Sequence, residues 1–254
     1  MFDVIAHRGG KVNPNMISAF KSSAEMGVDF IECDVCLTKD NQPIIYHPGT
    51  IIPEATSGTL EELRGKNIAH FGRLIELLCT YPQLKCLLDL KQDSKGLVET
   101  MVKMVKASDM FNRIYFTASY YKIPMFELYT NKDTLLYACS LDERVRIHVI
   151  DIFPINMANT IKTLNADMIS FGWFDENMFS KLLFKAIFDS GFRNISDEVL
   201  KVYQTDAYIL GGIANTEKDI RKLVMPGGYR SGINGIITDE PELALKVREK
   251  LASK

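Results

Sequence analysis

Short continuous apolar segments alternate along the chain with segments of helical periodicity, and this alternation constrains the fold more than any other feature. Most of the apolar segments lack the in–out alternation of a half-exposed strand, so they predict strands covered on both faces. They are residues 3–7, 30–35, 43–47, 85–90, 113–118, 134–139, 166–172, 206–212 and 234–239. The segments with helical spacing include residues 15–26, 59–65, 95–107, 176–190 and 241–252.

The alternation continues to the end of the chain without a Pro-, Gly- or Ser-rich linker, which predicts one domain over residues 1–254. About eight strand–helix units in a chain of this length are expected of a closed (β/α)8 barrel of the TIM type, an α/β fold. A doubly wound open sheet is the alternative. It typically carries a G-x-G-x-x-G turn after its first strand, whereas IAHRGGKVNPN has its glycines in another pattern. The barrel is therefore the prediction.

Composition and charge disfavour several classes of partner. The formal net charge is -2 and no cluster of lysine or arginine occurs, so nucleic acid is not an expected partner. No apolar run reaches the length of a membrane span, and the start MFDVIAHRGG lacks the pattern of a signal peptide, so we expect a cytoplasmic protein. The oligomeric state stays open.

The five cysteines lie mostly inside apolar segments, a pattern that fits reduced, buried thiols better than a disulfide framework. Cys33 and Cys36 form a C-x-x-C, which invites a zinc or redox interpretation. In a strand, however, positions three apart point to opposite faces, and no second pair follows at metal spacing. We therefore do not expect a zinc site.

Polar residues lie at the ends of the predicted strands or inside them. In a barrel of this type the functional side chains sit where strands end and loops begin. The residues selected in this way are His7, Arg8, Glu32, Asp34, His47, Asp89 and Lys91.

The stretch from Glu32 to His47 predicts a hairpin with Asp40 and Asn41 as its turn. A regular hairpin about that turn places Asp34 opposite His47, and Glu32 shares the face of Asp34. Buried carboxylates need neutralisation by a shared proton, a basic side chain or a cation. Two interpretations stay open: a Mg²⁺ or Ca²⁺ site that Asp89 completes, and a metal-free network of ion pairs with Arg8 and Lys91.

Five stretches taken in order resemble the glycerophosphodiester phosphodiesterase family. They are IAHRGG (5–10), NPNMISAF (13–20), GVDFIECDVCLTKDNQPIIYH (27–47), LLDLK (87–91) and INGIITDEP (233–241). The resemblance is dense over the first 91 residues and thin from there to residue 233. It implies a (β/α)8 barrel that cleaves a small-molecule phosphodiester with a divalent cation, Mg²⁺ or Ca²⁺, with Mn²⁺ as a further candidate.

The resemblance also implies roles for individual residues. His7 and His47 match the general acid and base; Glu32, Asp34 and Asp89 match the metal ligands; Arg8 and Lys91 match the contacts to the substrate phosphate. In the family, the attacking oxygen is thought to be a neighbouring hydroxyl of the substrate, which gives a cyclic phosphate that water opens. The sequence leaves open which histidine is the acid.

Several positions depart from the family pattern. Asp89 replaces the usual glutamate, Pro48 replaces an aspartate, Asn13–Met16 stands where the family has P-E-N-T, and Gly212–Asn215 stands where it has W-T-x-N. We therefore expect hydrolysis of a glycerophosphodiester or of a sugar phosphodiester, such as an agrocinopine-like one. A synthase or transferase, a lyase that stops at the cyclic phosphate, and a non-catalytic protein that binds phosphorylated sugars are the alternatives.

Other residues carry weaker signals. His70 and His148 lack an acidic partner at motif spacing and are expected to be structural. Trp173 fits the pocket wall and rim packing equally well, and Asp239 fits a helix N-cap as well as catalysis. We expect Gly9 and Gly10 to leave room for the backbone beside a ligand.

Overall fold

The computed structural model describes residues 1–48, 56–92, 94–123, 126–130, 132–151, 157–171, 195–224 and 233–253. The strands in these ranges are β1 (Asp3–Ala6), β2 (Phe30–Leu37), β3 (Pro43–Ile45), β4 (Ala69–His70), β5 (Lys85–Leu90), β6 (Ile114–Ile123), β7 (Phe126–Thr130), β8 (Arg146–Asp151), β9 (Met168–Phe171), β10 (Tyr208–Gly212) and β11 (Gly235–Thr238). The helices are α1 (Ile17–Met26), α2 (Gly72–Thr80), α3 (Lys95–Ala107), α4 (Lys132–Leu141), α5 (Met157–Leu164), α6 (Ile195–Tyr203), α7 (Glu217–Val224) and α8 (Pro241–Ala252).

Eight parallel strands close into a barrel. Their order is β1, β2, β5, β6, β8, β9, β10 and β11, and β11 pairs with β1 to complete the ring. Helices follow most of these strands, so the architecture is the predicted (β/α)8 barrel. Closure has a direct consequence for the site, because it makes the ends of the first and last strands neighbours.

The predicted elements are largely confirmed. Residues 95–107 and 241–252 are helical over their whole predicted length, and α1 covers 17–26 of the predicted 15–26. Ser94 begins α3 as an N-cap that accepts a hydrogen bond from the Leu97 N–H. The predicted helix 176–190 and Trp173 lie outside the described residues.

Two predictions of secondary structure are wrong. Residues 134–139 form part of helix α4 rather than a strand, and the barrel strand in this region is β8. A six-residue apolar run is ambiguous between the two states, and here Leu135 and Ala138, three apart, are buried while Leu136 is exposed. Residues 59–65 form turns rather than a helix.

The hairpin between β2 and β3 is shifted by one residue from the prediction. Val35 pairs with Ile45, and the Tyr46 N–H donates to the Asp34 carbonyl, so Asp34 lies opposite Tyr46 rather than His47. The reason is a longer loop. Thr38 and Gln42 close it around three residues, and Asn41 takes the left-handed conformation with φ 57°.

The interior of the barrel is filled by one apolar layer. Seven strands each contribute one side chain to it, namely Ile5, Phe30, Leu87, Tyr115, Met168, Leu210 and Ile237. A second, larger core lies between the strands and the surrounding helices. The polar residues at the carboxyl ends of the strands lie next to this apolar layer.

Cys33 and Cys36 lie in separate parts of the core, as expected of residues three apart in a strand. Cys33 belongs to the large core and its Sγ lies 3.8 Å from that of Cys86, whereas Cys36 packs with Ile44 and Tyr46. Every helix in the described part of the chain is too short or too polar to cross a lipid bilayer.

Gly9 and Gly10 lie against helices, and their expected place beside a ligand stays a prediction. A Cβ at Gly9, where φ is +79°, would lie 2.9 Å from Phe20 Cδ1 and 3.0 Å from Ala19 Cβ of α1. At Gly10 the nearest atoms belong to Pro241, which begins α8. The loop after β1 is thus held between α1 and α8.

We predict that Gly9→Ala lowers the free energy of unfolding by about 2–4 kcal/mol, because it combines a left-handed backbone with overpacking against α1. Gly27→Ala is the matched control, since Gly27 has φ +84° but no neighbouring atom within 4 Å of a Cβ. Its cost should be about 1 kcal/mol. Urea denaturation of both variants measures the difference; equal losses would contradict the packing argument.

Candidate active site

The first part of the site is the turn at the end of β1. Residues His7–Gly9 form a single 3-10 turn in which Arg8 has φ 53° and ψ 23°. The backbone N–H of Arg8 donates to Glu32 Oε2 at 3.0 Å. The turn therefore carries His7 and Arg8 to the carboxylates of the neighbouring strand.

Three buried carboxylates form the centre of the site. Glu32 and Asp34 share one face of β2, and Asp89 is the register partner of Asp34 on β5. Their exposed fractions are 5%, 0% and 5%, and each offers an oxygen within 4.8 Å of the others. The prediction that these residues converge is correct.

Two basic side chains lie against these carboxylates. Lys91 Nζ is 3.0 Å from Asp34 Oδ1 and 2.5 Å from Asp89 Oδ2, and Arg8 Nε is 2.9 Å from Asp34 Oδ2. Burial lowers the pKa of Lys91, but the charges of Asp89 and Asp34 outweigh burial and raise it. Lys91 is therefore charged at neutral pH, and it forms ion pairs with Asp34 and Asp89.

The carboxylates differ in how well they are compensated. Burial raises the pKa of Asp34, but Lys91 and Arg8 outweigh it and hold that pKa below its usual value. Burial, with the charge of Asp34, raises the pKa of Glu32 to about 7, and burial also raises the pKa of Asp89. The poorly compensated carboxylates of the site are therefore Glu32 and Asp89.

Asn15 fixes the position of Asp34. Its Nδ2 donates to Asp34 Oδ2 at 2.7 Å, and its Oδ1 accepts from the Asp34 N–H at 3.2 Å. Asn15 is the residue of the NPNM stretch that matches the family pattern, and the left-handed backbone there, with φ 62°, suits asparagine.

His47 follows β3 at the mouth of the barrel. Burial, together with Arg8 and Lys91, lowers its pKa against the opposing effect of Asp34. His47 therefore lies within the electrostatic field of the cluster even though the hairpin register differs from the prediction. At neutral pH its imidazole is held in the neutral form.

His7 is held between two acidic residues. Its Nδ1 lies 2.7 Å from Asp239 Oδ1, and its Nε2 lies 3.8 Å from Glu32 Oε2. Burial lowers the pKa of His7, but the hydrogen bond to Asp239 and the charge of Glu32 outweigh it and raise the pKa above its usual value. The two histidines thus experience opposite shifts.

Asp239 contacts a site residue, and local sequence patterns alone did not single it out. The N-cap position of α8 is Glu240, and Asp239 binds His7 instead of capping the helix. A signal was available: in a closed barrel β11 pairs with β1, and the register that joins Thr238 to Ala6 places Asp239 beside His7. The order of the closing strands, rather than local spacing, predicts the contact.

The other two histidines contact groups other than the three carboxylates. His70 Nδ1 accepts a hydrogen bond from the Gly72 N–H at the start of α2. His148 lies in the barrel wall, where its Nδ1 is 3.0 Å from the Thr117 hydroxyl and burial lowers its pKa to about 3. These contacts agree with the structural roles expected for both.

Known proteins are similar to this chain in sequence and in fold. The family described as glycerophosphoryl diester phosphodiesterase matches residues 7–122. A glycerophosphodiester phosphodiesterase of Caldanaerobacter subterraneus subsp. tengcongensis is 25% identical over an alignment of 283 positions. The alignment covers 97% of this chain and 98% of that protein.

Solved structures agree with this match. The structure of a glycerophosphodiester phosphodiesterase from Parabacteroides distasonis superposes with a TM-score of 0.74 at 18% identity, covering 99% of this chain and 98% of that one. An Oleispira antarctica phosphodiesterase, solved in complex with the product sn-glycerol-3-phosphate, gives a TM-score of 0.69 at 17% identity over 97% and 96% of the two chains.

These findings confirm the resemblance read from the sequence. The relatives that the chain matches are named as phosphodiesterases, which are phosphoric diester hydrolases. The family match, the relatives and the solved structures all indicate the glycerophosphodiester phosphodiesterase family.

The raised pKa of Glu32 predicts that the free energy of unfolding depends on pH when a chelator keeps the protein free of metal ions. The folded state retains a proton on Glu32 up to about pH 7, whereas the unfolded chain releases it near 4.5, so folding loses stability as pH rises between these values. We expect wild type to lose roughly 2–3 kcal/mol more than Glu32→Gln between pH 5 and pH 7.5. Urea denaturation with EDTA at both pH values tests this; parallel losses would contradict it.

Proposed function

We propose that the protein hydrolyses a small glycerophosphodiester, or a sugar phosphodiester of similar size, to an alcohol and a phosphate monoester with the help of a divalent cation. The observation that carries the proposal is the convergence of two histidines, three carboxylates and two basic side chains at one end of the barrel. The Oleispira phosphodiesterase supports the substrate class, because its bound product is a phosphate monoester of glycerol.

The residues present fit a hard divalent cation. Glu32, Asp34 and Asp89 supply three carboxylate oxygens in one buried cluster. Oxygen ligands of this kind suit Mg²⁺ and Ca²⁺, and Mn²⁺ as well. When bound, such a cation supplies positive charge beside the phosphate oxygens, where negative charge grows during the reaction.

Charge counting supports the same conclusion. Three ionised carboxylates against Lys91 and Arg8 leave one negative charge in excess, which repels a phosphodiester anion. A divalent cation turns this excess into one positive charge, equal and opposite to the charge of the diester. Lys91 and Arg8 then face carboxylates that are already compensated and can donate to the phosphate.

The opposite pKa shifts of the histidines suggest their roles. His47, held neutral, accepts the proton of the attacking hydroxyl as the new P–O bond forms. His7, whose pKa is raised, donates a proton to the leaving alcohol oxygen as the old P–O bond breaks. In a second step water opens a cyclic phosphate with the roles reversed.

Turnover on a panel of diesters tests the proposal. Glycerophosphocholine, glycerophosphoethanolamine and sugar phosphodiesters are incubated with Mg²⁺, Ca²⁺ or Mn²⁺ and with EDTA, and both products are measured. We expect cation-dependent release of alcohol and phosphate monoester. Accumulation of a cyclic phosphate would indicate a lyase, and tight binding of a phosphorylated sugar without turnover would indicate a binding protein; either result would overturn the proposed hydrolysis.

Removal of either histidine is predicted to lower kcat by about 10²–10⁴-fold, the usual contribution of a general acid or base. His70→Asn is the matched control, because it removes an imidazole but retains an acceptor for the Gly72 N–H. It should leave kcat within about twofold of wild type, since His70 contacts a helix start. Equal losses in all three variants would exclude the assignment.

The choice of leaving group separates the two roles. A p-nitrophenyl diester of glycerol phosphate retains the attacking hydroxyl but needs little protonation of its leaving oxygen, because p-nitrophenolate is a stable anion. We therefore expect His7→Ala to recover at least tenfold relative to wild type on this substrate, whereas His47→Ala stays impaired. Recovery by His47→Ala instead would reverse the assignment.

A further inference from the structure

Asp239 is joined to the site through two hydrogen bonds on opposite oxygens. Its Oδ1 lies 2.7 Å from His7 Nδ1, and its Oδ2 accepts from Asn215 Nδ2 at 2.6 Å. An ionised carboxylate accepts hydrogen bonds on both of its oxygens and donates none. The proton between His7 and Asp239 therefore belongs to His7 Nδ1. This leaves Nε2 as the ring atom directed toward Glu32.

The orientation of the Asn215 amide is fixed by its other contacts. Asn215 Oδ1 lies 2.8 Å from the Asp239 backbone nitrogen and 3.1 Å from the Thr238 hydroxyl oxygen. A backbone N–H can only donate, so the atom facing it must be the amide oxygen. The Asn215 NH₂ group is therefore the one that faces the Asp239 carboxylate.

The backbone around this pair is held by neighbouring strands. Ala6 and Thr238 are register partners in β1 and β11, and the carbonyl of Asp239 accepts from the Lys11 N–H at 2.9 Å. His7 and Asp239 thus keep their separation through the closure of the barrel itself. A fixed donor at Asn215 and a fixed backbone leave the carboxylate one orientation.

We propose that Asp239, oriented by Asn215, is a positioning residue that locks His7 in the tautomer with Nδ1 protonated and Nε2 directed into the site. The catalytic part of this inference rests on the proposed function, because it assigns proton transfer to Nε2 of His7. The structural part concerns only the tautomer and can be measured without turnover. A carboxylate that selects a histidine tautomer is a known device in hydrolases.

Asp239→Asn tests the proposal because Asn215 dictates how the introduced amide turns. The oxygen of that amide must accept from the Asn215 NH₂, so the introduced NH₂ group faces His7. Nδ1 must then accept, and the proton moves to Nε2. We expect ring ¹⁵N shifts to show Nδ1 of His7 changing from protonated to unprotonated, with His7→Gln used to assign the signals.

Kinetics of the same variant should follow the tautomer. We expect kcat to fall by at least about 100-fold, with KM changing less than about threefold, because the variant alters proton transfer rather than binding. Glu240→Gln is the matched control. It also removes one carboxylate from this loop, but Glu240 contacts Lys11 rather than His7, so kcat and the His7 tautomer should be unchanged.

Exchanging the two side chains, so that the carboxylate lies at position 215 and the amide at position 239, should restore the His7 tautomer and kcat. In Asp239→Asn/Asn215→Asp the carboxylate moves to position 215, where it accepts from the amide NH₂ introduced at position 239, the Thr238 hydroxyl and the backbone N–H. The oxygen of the introduced amide then faces His7 as an acceptor, which restores the Nδ1-protonated tautomer. We expect at least tenfold recovery of kcat over the single variant, at the net charge of the wild type.

The outcomes separate the two levels of the inference. A His7 that keeps its tautomer in Asp239→Asn, or a double variant that recovers neither tautomer nor kcat, would overturn the proposal. A tautomer that changes as expected while kcat stays at the wild-type value would overturn its catalytic part. If wild type hydrolyses no diester, the proposed function fails, and the ¹⁵N shifts alone still decide the structural claim.

Discussion

The site depends on the compensation of three carboxylates that the barrel buries at one end. Glu32, Asp34 and Asp89 are buried next to the apolar layer inside the barrel, where an uncompensated charge is costly. Lys91 and Arg8 compensate Asp34 well, whereas burial raises the pKa of Asp89 and, with the charge of Asp34, raises the pKa of Glu32 to about 7. The excess negative charge makes the cluster suited to a cation and, once a cation is bound, suited to a phosphodiester.

Closure of the barrel assembles the remaining groups around this cluster. Pairing of β1 with β2 brings the turn at His7–Gly9 to Glu32, and pairing of β1 with β11 brings Asp239 to His7. The histidines therefore acquire different environments from strand order alone. Burial lowers the pKa of both histidines, but the two carboxylates around His7 outweigh burial there, whereas at His47 Arg8 and Lys91 add to it, so the two pKa values shift in opposite directions.

Sequence patterns predicted the parts of the structure that local chemistry determines. Helices such as α3 and α8 follow from an apolar stripe with a capping Ser94 or an initial Pro241, and the carboxylates follow from their alternation along one strand. The hairpin register was missed because it depends on whether the loop holds two or three residues, which Asn41 decides through its left-handed backbone. Residues 134–139 were missed because a short apolar run suits both a strand and a helix.

The contact between His7 and Asp239 differs from these cases, because it joins two residues that are separated by 232 positions in the chain. No local pattern joins them, but the barrel prediction implied that the first and last strands are neighbours. Applying that implication to the residue after each strand would have found the pair. Long-range contacts in a closed barrel are thus predictable once its strand order is known, whereas their hydrogen-bond geometry is not.

Calorimetric titration of the chelator-treated protein with Ca²⁺ or Mg²⁺ near pH 6.5, in two buffers of different ionisation enthalpy, tests the central claim most directly. At this pH Glu32 still holds part of its proton, because its pKa is about 7. The account predicts one cation per chain and proton release on binding, with both lost in Asp34→Asn. Binding without proton release, or no binding at all, would contradict the account of the cluster as a cation site.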